Sequence, residues 1–137
     1  MSTNLLLLLV SVLGAVSTYV FNVQFKQGPV RASALLSLVV ALVFHFLPPI
    51  FPSILMTKIP LIFFGASFVG MSAPKILGHK SWSVLAGLFF GFIFLNTSKF
   101  FTGFGGGLGT TACLSVAMTV GVNSLLQKLT LKVPVGR

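Results

Sequence analysis

Apolar residues fall in five long runs along this chain, with few polar interruptions and no two-residue alternation. The first is Leu5 to Asn22. The second is Val30 to Leu47, closed by Pro48 and Pro49. The third runs from about Ile59 to Ala73, bounded by Pro60 and Pro74. The fourth is Trp82 to Thr97 and the fifth Phe104 to Leu126. A helix needs about 17–25 residues to cross the hydrocarbon core of a bilayer. Runs one, two and five meet that length, while three and four are short and recruit flanking residues. The pattern predicts an all-α integral membrane protein with about five transmembrane helices in a single domain. Their expected bounds are 5–22, 30–47, 57–73, 82–98 and 104–126, with a tail at 127–137.

Composition strengthens this picture. Apolar residues make up 55% of the 137 positions and charged residues 7%, against roughly 25% charged in an ordinary soluble domain. Charge then orients the spans. Lys26 and Arg31 lie between runs one and two, Lys75, His79 and Lys80 between three and four, and Lys128, Lys132 and Arg137 in the tail. Only Lys58 and Lys99 lie on the other side, so seven Lys and Arg face two. Basic loops stay in the cytoplasm. The N-terminus is therefore expected outside, the C-terminus in the cytoplasm, and the chain in a cell inner membrane. Run one lacks a basic segment before its leucines, so a cleaved leader is not expected.

The chain has nine Lys and Arg and no Asp or Glu. This excludes a carboxylate dyad, an acidic proton relay and a carboxylate site for Mg²⁺ or Ca²⁺. No Ser–His–acid set can be completed, so an enzyme is not expected. Neither a metal site nor a cofactor is expected, because no second His or Cys stands at ligand spacing from His45, His79 or Cys113. The cations Lys26, Arg31, Lys75, Lys80, Lys128 and Lys132 have no internal carboxylate partner. They are candidates for contact with lipid headgroups, or with acidic surfaces of a larger membrane subunit. They sit in short loops between apolar runs, which argues against nucleic acid as a partner.

The fifth run carries the most pattern. Gly105, Gly109, Cys113, Ala117 and Gly121 recur every four residues, a small-residue stripe suited to close helix packing in lipid. Gly107, Thr111, Ser115, Thr119 and Asn123 form a second, mostly hydroxyl stripe on another face. Its side chains fit either a packed seam or the wall of a polar pathway. Asn22, at the end of run one, and His45, near the end of run two, are further candidates for that pathway. Each also has a plain reading, a helix cap for Asn22 and an interfacial side chain for His45. The triple glycine Gly105–Gly107 predicts a bend, since each Gly costs a helix up to ~1 kcal/mol relative to Ala. A phosphate loop is not expected, because the G-x-x-x-x-G-K-[ST] order is missing and Lys99 precedes the glycines.

Shifting the chain by fifty residues lays Gly28–Phe44 on Gly78–Phe94, matching Gly28, Ser33, Leu35, Leu38 and Phe44 with identical residues. That register predicts a parallel repeat of two helical hairpins, as is common in transporter folds. The fragments "VFNV" (Val20–Val23), "VRA" (Val30–Ala32) and "GASFVG" (Gly65–Gly70), with Pro134, together resemble the small membrane component of the threonine/serine exporter family. The resemblance implies a five-helix unit working with a larger partner. A Pro-Gly element expected in the fourth helix is replaced here by "GLFFGFIF". Pattern and resemblance together point to a component of a small-solute transporter, acting as a homo-oligomer or with a partner subunit. The alternatives are an accessory subunit of a larger membrane complex without a substrate, and a small ion channel.

Overall fold

The computed structural model describes residues 2–26, 28–46, 52–72, 76, 80–97 and 106–131. These form five long helices and no strand: α1 Ser2–Gln24, α2 Pro29–Phe46, α3 Ser53–Gly70, α4 Lys80–Thr97 and α5 Gly107–Leu131. Gly105, Lys75, His79, Lys99, Lys132 and Arg137 lie outside the described residues, as does the side chain of Lys80.

Local chemistry sets the ends of these helices. α1 carries no proline and runs for 23 residues, roughly 34 Å at 1.5 Å per residue. It stops where Lys26 and Gly28 take positive φ of 51° and 86°, the second a value that glycine adopts without strain. Pro29 then opens α2, a position where its missing N–H costs nothing, and the amide of Ala32 closes the first turn on the Gly28 carbonyl at 3.1 Å. α3 begins at Ser53, earlier than the expected 57, and passes through Lys58 and Pro60. Pro60 therefore does not bound this helix. It removes one ladder bond, to the carbonyl of Met56, in the second turn.

Three helices are long and apolar enough to cross a membrane: α1 over Thr3–Gln24, α2 over Pro29–Phe46 and α5 over Gly107–Leu129. The apolar parts of the other two, Leu55–Gly70 and Ser81–Asn96, are shorter. These are the same three runs that qualify by length in the sequence.

α1 is the hub, packed mainly on α3 and α4 and less on α2, while α5 lies against α4 and α3. Small residues allow the close approach. A Cβ on Gly14 would lie 3.0 Å from the Phe63 carbonyl oxygen and 3.1 Å from Ala66 Cβ. One on Gly70 would lie 2.5 Å from the Ala15 carbonyl oxygen and 2.8 Å from the Tyr19 nitrogen. From 14 to 19 in α1 the neighbours climb from 63 to 70 in α3, so these helices run parallel. On the other side, Gly87 faces Val12 and Ala15, and Gly91 faces Leu8 and Ser11. There the numbers run opposite ways, so α1 and α4 are antiparallel.

Among the described residues many large apolar side chains face outward. Leu5, Leu9, Leu13, Leu38, Phe92 and Leu114 are exposed, whereas the buried polar residues among those described are Ser and Thr: Ser11, Thr18, Ser33, Ser67, Ser83, Thr111, Ser115 and Thr119. A core of Leu7, Tyr19, Ile62, Val69 and Phe90 fills the space around them. Exposed leucines together with glycines at the close helix contacts fit the way helices pack in lipid, whose tails are as apolar as leucine.

Candidate functional site

The hydroxyl stripe of α5 is turned inward. Thr111, Ser115 and Thr119 are buried, on the side of α5 shared with Gly107 and Ala112. Their protons go to their own helix. Thr111 Oγ1 donates to the carbonyls of Gly107 and Leu108, each at 2.9 Å, Ser115 Oγ to Ala112 at 2.8 Å, and Thr119 Oγ1 to Ser115 at 2.8 Å. Such back-bonds satisfy a buried hydroxyl without a partner on another helix. Asn123, half-buried one turn on, accepts a long bond of 3.4 Å from Gln127 Nε2.

The other pathway candidates do not gather at this seam. Asn22 is half-buried near the end of α1. His45 is exposed at the end of α2, edge-on to the neighbouring Phe46 ring with centroids 5.4 Å apart. The short turn between α1 and α2 places His45 at the opposite end of the hairpin from Asn22.

The small-residue stripe faces outward. Gly109, Cys113, Ala117 and Gly121 are all exposed, and a Cβ on Gly109 or Gly121 would meet nothing within 4 Å. The glycines that bring helices together inside this chain are Gly14, Gly70, Gly87 and Gly91 instead. The α5 stripe forms one wall of an open groove of about 560 Å³. Gly109, Cys113 and Ala117 face Phe68, Ser72 and Ile76 across it. Among the candidate cations, Lys26, Arg31 and Lys128 are exposed.

A second set of hydroxyls lies between α1, α2, α3 and α4. Ser33 and Ser67 meet at 2.6 Å across the α2–α3 contact, and Ser67 Oγ passes its own proton to the Phe64 carbonyl at 2.6 Å. Ser37 adds a longer approach to Ser67 at 3.4 Å. On the α1–α4 side, Ser11 Oγ reaches the carbonyl of Gly87 at 2.9 Å. Thr18 and Ser83 complete this set. Ser11 and Thr18 stand seven residues apart, two turns along one face of α1. That spacing is visible in the sequence, but the leucine run around it draws attention away. Among the described residues no three His, Cys, Asp or Glu side chains come together as metal ligands.

Comparison with known proteins adds no assignment: no family model, curated protein or solved structure matches this chain.

Proposed function

We propose that the chain is a membrane-embedded component of a small-solute transporter, with five spans, the N-terminus outside and the C-terminus in the cytoplasm of an inner membrane. It works as a homo-oligomer or with a larger partner subunit. The observation that carries this reading is the burial of Ser and Thr side chains in a bundle whose exposed faces are rich in large apolar residues. Among the described residues eight Ser and Thr side chains are buried, while many leucines, valines and phenylalanines are exposed. Hydroxyls offer hydrogen bonds to a passing solute without the cost of a buried charge, about 2.5–3.5 kcal/mol on insertion scales. The chain directions agree with alternating spans, since α1 and α3 run parallel and α4 runs against α1. Serine placement also favours a hairpin repeat: Ser33 matches Ser83 at a shift of fifty, and each stands on the second helix of its hairpin. The exporter resemblance points to the same class and adds the larger partner.

A specific observation favours the second reading, an accessory subunit without a substrate. The open groove beside Gly109, Cys113 and Ala117 offers a small-residue wall to a neighbouring helix. Purification in mild detergent separates the two. A homo-oligomer or two-component unit that moves solute after reconstitution supports transport. A fixed place in a large acidic complex, with no solute moved by the purified complex, overturns it in favour of the accessory role.

A further inference from the structure

Of the eight buried Ser and Thr side chains among the described residues, six are accounted for within the chain: Ser11, Ser33, Ser67, Thr111, Ser115 and Thr119. The other two, Thr18 and Ser83, make no hydrogen bond with any described residue, although both are 0% exposed. A buried hydroxyl left without a partner costs about 1–3 kcal/mol. Two of them in one small bundle call for a physical reason.

Helix register sets the two at the same level of the α1–α4 contact. Across the antiparallel α1–α4 contact, Leu8 and Ser11 meet Gly91, and Ala15 meets Gly87. One further turn along α1 reaches Thr18, and one turn back along α4 reaches Ser83. Gly70 of α3 supplies a third wall, since a Cβ there would lie 2.6 Å from Thr18 Cβ. α3 thus closes on Thr18, and both hydroxyls could have donated to their own backbone, as Ser17 does to the carbonyls of Leu13 and Gly14. The matching α2–α3 contact joins Ser33 to Ser67 directly at 2.6 Å. At the α1–α4 contact Ser11 is bonded across to the Gly87 carbonyl, whereas Thr18 and Ser83 are not bonded.

We propose that Thr18 and Ser83 are the paired contacts for a small neutral, hydrogen-bonding solute of the polyol class. A hydroxyl both donates and accepts, so two of them match a guest that does the same. A charged guest fits poorly. The buried polar side chains are all uncharged, and the chain has no Asp or Glu. An ion there would lose its hydration without a counter-charge. Because both hydroxyls are fully enclosed, α1 and α4 must part for the guest to enter, across a contact built from Ser11, Ala15, Gly87 and Gly91. This inference rests on the transport reading and names its site and solute class.

The test uses the purified protein, with any subunit that co-purifies, reconstituted in liposomes. Glycerol entry is followed by stopped-flow light scattering. Wild type is expected to admit glycerol faster than protein-free liposomes. Thr18→Val and Ser83→Ala should each slow the protein-dependent entry roughly tenfold, the weight of one lost hydrogen bond. Thr18→Ser keeps the hydroxyl and should retain entry, which separates a lost contact from a misfolded variant. The proposal is overturned if wild type admits no glycerol, or if Thr18→Val and Ser83→Ala admit it as fast as wild type. Movement of K⁺ or Cl⁻ without glycerol overturns this inference alone. Failure to move any solute overturns the transport reading with it.

Discussion

Ser11 on α1 places its Oγ 2.9 Å from the backbone carbonyl of Gly87 on α4, and the same hydroxyl lies 2.8 Å from the carbonyl of Leu8 in its own helix. One proton is shared between a local and a cross-helix acceptor. The contact exists because Gly87 has no side chain: a Cβ there would lie 3.0 Å from Val12 Cα and 3.1 Å from Ala15 Cβ. Small residues set the helix distance, and the distance lets hydroxyls reach across.

Glycine packing leads to the first prediction. A Cβ on Gly70 would press on backbone atoms of Ala15 and Tyr19, which cannot rotate away. Gly70→Ala is expected to destabilise the fold by about 1–3 kcal/mol through overpacking. Gly121→Ala enters open space and should be neutral, or stabilising by up to ~1 kcal/mol through helix propensity. Thermal unfolding in mild detergent compares the two. Equal effects would show that Gly70 is not a close-contact site.

Gly109 gives a different expectation. It lies on the outward stripe with nothing within 4 Å of its would-be Cβ. Gly109→Leu should leave the melting temperature of the isolated chain nearly unchanged while weakening association with a second helix. Size analysis in detergent, together with cross-linking through the exposed Cys113, reads the association. A variant that assembles like wild type would remove the stripe from any interface.

The α5 hydroxyls are expected to be quiet. Thr111 and Ser115 donate only to carbonyls of their own helix. Replacing both by Val should change stability by about 1 kcal/mol or less and leave solute movement intact. A large loss of flux with the fold retained would place the pathway on α5 after all.

Ser33 and Ser67 form the shorter of the two hydroxyl contacts between α2 and α3 among the described residues, and Ser67 also bonds the Phe64 carbonyl of its own helix. Ser33→Ala should therefore cost only about 0.6–1.5 kcal/mol, the range for hydrogen bonds between membrane helices. A double-mutant cycle with Ser67→Ala should return a coupling of that size. A coupling near zero would mean that the contact contributes nothing.

Much of the architecture is legible in the sequence, for physical reasons that differ by element. Run length alone identifies α1, α2 and α5, the three helices long and apolar enough to cross a membrane. The turn at Lys26–Pro29 is readable from Gly28 and Pro29, which adopt backbone angles that few residues share. Counting by fours on the fifth run finds Thr111, Ser115 and Thr119 on one face, and they are buried together. The start of α3 is less legible: Pro60 looks like a boundary in sequence, yet a helix tolerates it in an early turn. The outward position of Gly109 and Gly121 is not legible at all. A small stripe shows that a close neighbour is possible, and tertiary packing decides whether that neighbour lies in the same chain. Thr18 and Ser83 are hidden for the same reason, since only the pairing of α1 with α4 makes two scattered hydroxyls into a pair.

The central claim is that this hydroxyl-lined bundle moves a small solute across a membrane. It is tested most directly by solute flux in proteoliposomes containing the purified chain and any subunit that co-purifies, using a panel of labelled small neutral solutes, amino acids and ions. The account predicts saturable, protein-dependent entry of at least one small polar solute. Entry indistinguishable from protein-free liposomes across the whole panel would contradict it.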